Sequence, residues 1–253
     1  MTDRRSVLVT GAARRIGAAI AHDLALSGWH VLVHYHRSED DAQALARQIG
    51  EHGGSCDLVK ADLSRRDEVE GLIPKCTELA GPLDCLINNA ALFKYDHIDR
   101  LEWGLWDDHL RANLTAPAFL CRDFARQLPA GRSGVIINLL DQKTAHLNPD
   151  FLSYTVAKIG LRDLTRILAM AFGPRIRVCG ISPNVTLISG KQTPQSFLKS
   201  TGVTPLGYSS SVAELVRAVH YILDTPSING QIVTIDGGES LTGRRRDVAF
   251  ETG

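Results

Sequence analysis

Seven short apolar runs alternate with longer segments of helical period, and nothing else in the chain constrains its fold so tightly. The runs are Ser6–Thr10, Trp29–Tyr35, Ser55–Lys60, Cys85–Asn88, Gly134–Asn138, Arg177–Ser182 and Gln231–Ile235. Several are nearly continuous in Val, Ile, Leu and Cys, as expected of strands covered on both faces. Strands separated by helix-length segments build βαβ units, so the expected class is α/β with a doubly wound parallel sheet.

The helical segments carry their own punctuation. Ile16, Ile20 and Leu24 form one apolar stripe, and Gly28 is placed to end that helix. Ser38 reads as an N-cap for a helix over 39–51. Ser211 and Glu214 have capping-box spacing, followed by Val212, Leu215, Val216, Val219, Ile222 and Leu223 at helical intervals. No linker or internal repeat interrupts residues 1–253, so a single domain is expected. Residues 184–210, rich in Ser, Thr, Gly and Pro, show no clean period and read as a long, mobile substrate loop.

Composition bounds the function. Lys plus Arg equals Asp plus Glu, 28 against 28, so no global field recruits nucleic acid or anionic lipid. The run Arg244-Arg245-Arg246 has no interleaved aromatics and reads as a solvated tail. The five cysteines are scattered with no C-x-x-C pair, which suggests neither a disulfide framework nor a zinc site. No leader pattern or apolar run of spanning length is present. The expectation is a cytoplasmic protein acting on a small molecule, with no metal.

Two distant segments make sense together. Ser6–Thr10 runs into Gly11-Ala12-Ala13-Arg14-Arg15-Ile16-Gly17 and then a helix. Glycine lets backbone approach phosphate, and the helix N-terminus offers free N–H groups, so the segment reads as a dinucleotide seat. An enzyme reading an unmodified ribose wants a carboxylate at the end of the second strand. This chain has His34-Tyr35-His36-Arg37-Ser38 instead. Arg37 can fork onto a 2′-phosphate and Ser38 adds a hydroxyl, which favours NADP(H). Much later, Tyr154 and Lys158 are four residues apart and share a helix face. A free phenol titrates near about 10, and a neighbouring ammonium lowers that value. The tyrosine can then protonate an atom as hydride arrives beside it.

The ordered set TGAARRIG, Asp62-Leu63, Asn88-Asn89-Ala90, Asn113, Tyr154/Lys158, Pro183 and Asp236-Gly237-Gly238 resembles the short-chain dehydrogenase/reductase family from about Val7 to Gly238. The resemblance implies a Rossmann-type sheet and a family tendency to form homotetramers. It places Asp62 and Leu63 near the adenine, Asn89, Ala90 and Pro183 along the cofactor, and Asn113 in support of a proton relay to Lys158. In a tetramer the tail from Leu241 would complete a neighbour's site.

Three departures narrow it. Arg15 stands at a family glycine, Asp141 at the family serine, and Pro183-Asn184 at the usual Pro-Gly. The first two recur in the pteridine reductase and dihydromonapterin reductase branch, together with His34–Ser38 and Phe93. By that resemblance Arg15 faces phosphate and substrate, Phe93 stacks on the pterin, and Asp141 pairs with Tyr154 to deliver the proton. A flat pterin, rich in donors and acceptors, suits a stacking ring and a carboxylate. Ala91 departs from that branch, standing where some members carry a pterin-holding serine. The leading expectation is an NADPH-dependent reductase of a pterin or dihydropterin, of monapterin, biopterin or folate type. One alternative is a carbonyl reductase of 3-oxoacyl or sugar ketones, which Asp141 disfavours because a neutral hydroxyl better stabilises an alkoxide. A non-catalytic NADPH-binding sensor is a second, and it has no use for the Tyr/Lys pair.

Overall fold

The computed structural model describes residues 4–188 and 193–251. All seven runs form strands: β1 (Ser6–Val9), β2 (His30–Tyr35), β3 (Ser55–Lys60), β4 (Cys85–Asn88), β5 (Gly134–Leu139), β6 (Ile176–Pro183) and β7 (Ile232–Ile235). They make one parallel sheet in the order β3-β2-β1-β4-β5-β6-β7. The chain winds outward from β1 to β3, then returns and winds the other way from β4. Between β1 and β4 the direction of winding reverses, and a crevice opens there beyond the strand ends.

The helices are α1 (Arg15–Leu26), α2 (Glu39–Glu51), α3 (Arg66–Ala80), α4 (Trp103–Leu110), α5 (Ala116–Gln127), α6 (Leu152–Phe172), α7 (Pro194–Gly202), α8 (Val212–Asp224) and α9 (Val248–Glu251). Strand alternation sorts the core into two layers. Val7 and Val9 of β1 join Ile20 and Leu24 of α1, Ile49 of α2 and Leu215 of α8. Leu8 joins Leu72 of α3, Leu120 and Phe124 of α5, and Ile136 of β5 on the opposite face. At about 25 cal/mol per Å2 of apolar surface, burying each such side chain contributes roughly 1.5–3 kcal/mol. The sheet is thereby held rigid beneath its loops.

The local signals are met in most places. Gly28 follows α1 with φ +90, and Ser211 and Glu214 form both halves of a capping box. Ser38 is the N-cap residue of α2, though at φ −92 and ψ 57 its hydroxyl makes no capping bond, and Glu39, Asp40 and Asp41 stand in the first turn. Two expectations need correction. Within 184–210 the chain forms α7, begun by Pro194 and capped by Thr193 Oγ1 accepting from the Ser196 N–H at 3.1 Å. Residues 189–192 of that segment lie outside the described residues. The basic run is not simply solvated either: Arg246 forks onto the fully buried Asp150 at 2.8 Å, and Arg244 donates to the Val203 carbonyl. Among the described residues no helix is long and apolar enough to cross a membrane.

Candidate active site

The crevice at the carboxyl ends of the strands is a cleft of about 1600 Å3. At its base β1 ends in the glycine turn. Gly11 has φ +61, and a Cβ there would lie 2.9 Å from the Ala90 backbone. A side chain on Gly17 would collide with Gly11 and Asn89. The turn is therefore a cradle that only glycine leaves open. Asn89 is committed to holding it: its amide donates to the Thr10 carbonyl at 2.8 Å and the Gly11 carbonyl at 3.2 Å. Thr10 Oγ1 accepts the N–H groups of Asn89 and Ala90 in return.

His34 also supports the turn, a role the sequence did not announce. The Gly11 N–H donates to its Nδ1 at 2.9 Å, so the proton sits on Nε2, which donates to the Ala61 carbonyl at 3.0 Å. Burial pushes this imidazole down to about 4, and it stays neutral. Beyond β2, His36, Arg37 and Ser38 line the same cleft as Asp62 and Leu63. His36 lies 3.4 Å from Asp62. Partial burial works to raise Asp62, but bonds from Ser64 and the nearby His36 and Arg37 hold it below its usual range.

Arg15 occupies a left-handed backbone position, φ +60, that favours glycine. Its guanidinium reaches across the cleft to the carbonyls of Ile188 at 2.6 Å and Leu187 at 3.4 Å. Pro183 ends β6 in the cleft wall. Asn184 beside it is a hub. Its amide donates to Ser209 Oγ, the Asp236 carbonyl and Glu239 Oε2, each at 3.0 Å, while its Oδ1 accepts from Ser210. That network explains why an amide stands where the family usually has glycine. Glu239 is 4% exposed and burial lifts it to about 7.

Opposite the turn, Tyr154 donates a 2.8 Å hydrogen bond to Asp141 Oδ2, whose Oδ1 accepts the Lys143 N–H. Burial raises Asp141 above the usual carboxylate range. Burial and the Asp141 carboxylate raise Tyr154 well above the ordinary phenol. The expected lowering by Lys158 is thus not what the geometry gives. The Lys158 ammonium, 5.9 Å from the tyrosine ring, donates instead to the Leu139 carbonyl at 2.7 Å. Burial lowers Lys158 to about 8.

Asn113 sits in a π-helical turn, Arg111–Thr115, with its side chain bonded both ways to the Leu92 backbone at 2.9 Å. Phe93 is 43% exposed in the cleft, stacked on Phe151 at 4.3 Å and T-shaped to Tyr154 at 4.8 Å. Tyr95 and Phe250 extend this aromatic wall. Phe250 comes from the C-terminal segment of the same chain, which Lys143–Asp247 and Arg246–Asp150 ion pairs clamp in place. Sequence reading missed that wall because its members are distant in the chain.

A family model described as short chain dehydrogenase matches residues 5–195. The 3-oxoacyl-acyl-carrier-protein reductase FabG of Staphylococcus epidermidis is 30% identical over 92% of this chain and 98% of its own. Pteridine reductase 1 of Leishmania tarentolae is 32% identical over 93% of this chain and 96% of its own. Among solved structures, FolM alternative dihydrofolate reductase 1 from Brucella canis, complexed with NADP, superposes with a TM-score of 0.92. It is 40% identical and covers 98% of both chains.

Proposed function

The chain belongs to the short-chain dehydrogenase family, and from that premise we propose that it is an NADPH-dependent reductase of dihydropterins. The observation that carries this reading is Asp141 at 2.8 Å from the Tyr154 hydroxyl, beside the half-exposed Phe93 ring. A carboxylate pairs with the N–H groups of a pterin more strongly than a serine hydroxyl does. The likeness to the pteridine reductase and to FolM supports the same substrate class.

The glycine cradle fits a pyrophosphate, and the α1 N-terminus faces it with no side-chain cap. Arg37, Ser38 and His36, with no carboxylate at the end of β2, fit a 2′-phosphate. Asp62 and Leu63 fit the adenine end, Ile16, Ala90 and Pro183 the middle, and Lys158 and Tyr154 the nicotinamide end. When bound, NADPH supplies the reducing equivalent to a C=N carbon. Asp141 and Tyr154 hold the proton for the adjacent nitrogen as one hydrogen-bonded unit. Arg15 offers its guanidinium to phosphate and substrate, and Asn113 supports Lys158 through its backbone, its side chain being engaged elsewhere.

The protein acts in the cytoplasm as a homotetramer. Exposed apolar side chains on α4 and α6, Trp103, Ile167 and Met170, support assembly, and sedimentation tests it. The described residues 184–188 and 193–210 are the part of the chain that would shift over the substrate, and limited proteolysis with and without ligand tests that. The decisive assay is NADPH oxidation on adding dihydromonapterin, dihydrobiopterin or dihydrofolate. Silence with all three and rapid reduction of a 3-oxoacyl or sugar ketone favours the carbonyl reductase, as the FabG likeness would. Nucleotide binding without any turnover favours the sensor.

A further inference from the structure

Between β4 and α4 the chain passes through residues 92–96 as an arm held at three points. The Leu92 backbone is held by Asn113. The Lys94 N–H donates to His109 Nε2 at 3.3 Å. The Asp96 carboxylate accepts the Ser153 N–H at 3.1 Å and also the Ser153 hydroxyl. Phe93 and Tyr95, between these anchors, line the cleft.

The anchors are themselves joined. His109 Nδ1 lies 2.6 Å from Ser153 Oγ. Because the serine hydroxyl donates to Asp96, its oxygen accepts from Nδ1–H, and Nε2 is left bare to accept from Lys94. Asp96, Ser153 and His109 are 3%, 0% and 0% exposed. The order is not that of a nucleophilic triad: the carboxylate bonds the serine rather than the imidazole, and no substrate reaches the hydroxyl.

We propose that the buried Asp96–Ser153–His109 chain is a positioning device for the reaction. It ties the arm bearing Phe93 to the residue beside Tyr154, and so fixes the gap between the aromatic face and the acid. His109 is the positioning residue at its centre. Its effect on catalysis rests on the dihydropterin reading of Phe93 and Tyr154; its attachment to the arm does not. Burial pushes the His109 imidazole below its ordinary range, opposed by Asp96 and Asp108 and aided by Lys94, which keeps the bare Nε2 available.

Two measurements on the full chain test this. In the first, histidine is labelled with 15N and long-range 1H–15N spectra are recorded. His109 should show a protonated Nδ1 and a bare Nε2, a pattern that Ser153→Ala disturbs. The reverse tautomer overturns the attachment whatever the substrate. In the second, steady-state kinetics with dihydropterin are paired with direct NADPH titration. His109→Phe should raise KM and lower kcat, by about tenfold to 10² in kcat/KM, as expected for misplaced reacting groups. NADPH affinity should stay within about twofold, since the arm is not part of the phosphate cradle. His109→Gln, which can both donate and accept, should recover most of the loss. If His109→Phe fails to fold, Ser153→Ala should show the same split, smaller in size. Wild-type kcat and KM in the folded variants overturn the role. A wild-type chain that ignores dihydropterins overturns the substrate reading and the positioning role with it, and leaves the tautomer result standing.

Discussion

A phenol that donates to a carboxylate holds its proton, whereas a phenol beside an ammonium gives it up, and Tyr154 has the carboxylate. In the free enzyme Asp141 and Tyr154 therefore act as one proton-holding pair. Tyr154→Phe keeps the ring and removes the hydroxyl, so turnover should fall by about 10² or more while NADPH titrates normally. To donate, Asp141 must be protonated. Because burial raises its titration, acid is available nearer neutral pH, and kcat/KM should fall as pH rises past that point. Asp141→Asn should flatten this limb and lower pterin reduction, as a pH–rate profile will show. At the other end of the cleft, Arg37→Ala should weaken NADPH by about tenfold to 10², the value of a charged hydrogen bond. NADH should be little affected, and equal use of both cofactors by the unaltered enzyme contradicts the assignment. The four-residue spacing made Tyr154 and Lys158 legible in sequence, and the family resemblance added Asp141. The direction of the tyrosine shift was not legible, because it comes from burial and from the Asp141 carboxylate, both of which only the fold sets in place.

At the scale of elements, the C-terminal segment is the part with most to lose. Lys143 is 3% exposed and its ammonium bonds Asp247 at 2.8 Å and Asn148 at 2.7 Å. Lys143→Met keeps most of the volume but takes the buried cation away from the partly buried Asp247 carboxylate, which should destabilise the fold by up to about 3 kcal/mol. Thermal or urea unfolding reads that directly. Phe250 should loosen from Phe151 and Tyr95, so KM for the pterin should rise with NADPH affinity unchanged. A variant with wild-type stability and KM would show that the clamp is ornamental to the site. None of this was visible in the sequence, where Arg244–Arg246 looks like a solvated run, because Asp150 becomes its partner only through the fold. The strands and most helices were legible, since apolar periodicity and caps such as Ser211/Glu214 act locally. The short helix α7 escaped because its one clear signal, Thr193-Pro194, sits amid residues with no periodic apolar stripe.

For the whole molecule, two buried groups set opposing responses to acid. His34 titrates at about 4 in the folded chain against an ordinary 6.5, because burial disfavours its charge. As pH drops from about 6.5 to about 4, the unfolded chain takes the proton first, so folding loses roughly 3 kcal/mol. Glu239 is lifted to about 7 from an ordinary 4.5, again by burial. As pH drops from about 7 to about 4.5, the folded chain takes the proton first, so folding gains a similar amount. Asp141 adds to the second side, while Asp62 and Asp150, both held low, work against it only at lower pH. The two large terms should nearly cancel between pH 6.5 and 4.5, and single variants should expose them. His34→Asn keeps an acceptor for the Gly11 N–H without a titrating ring, and its stability relative to wild type should rise on acidification by roughly 2–3 kcal/mol. Glu239→Gln keeps an acceptor for Asn184, and its relative stability should fall by about as much. Urea unfolding of the three proteins at both pH values measures the differences, and parallel changes in all three would refute the compensation. His34 also carries the glycine turn, so NADPH affinity should weaken as pH approaches 4 in wild type and hold better in His34→Asn. Loss of His34's share of stability should then come first, between about pH 6.5 and 4, where the unfolded chain takes the proton, and loss of cofactor affinity should follow only as pH falls through about 4, where the folded imidazole takes it and gives up the Gly11 bond.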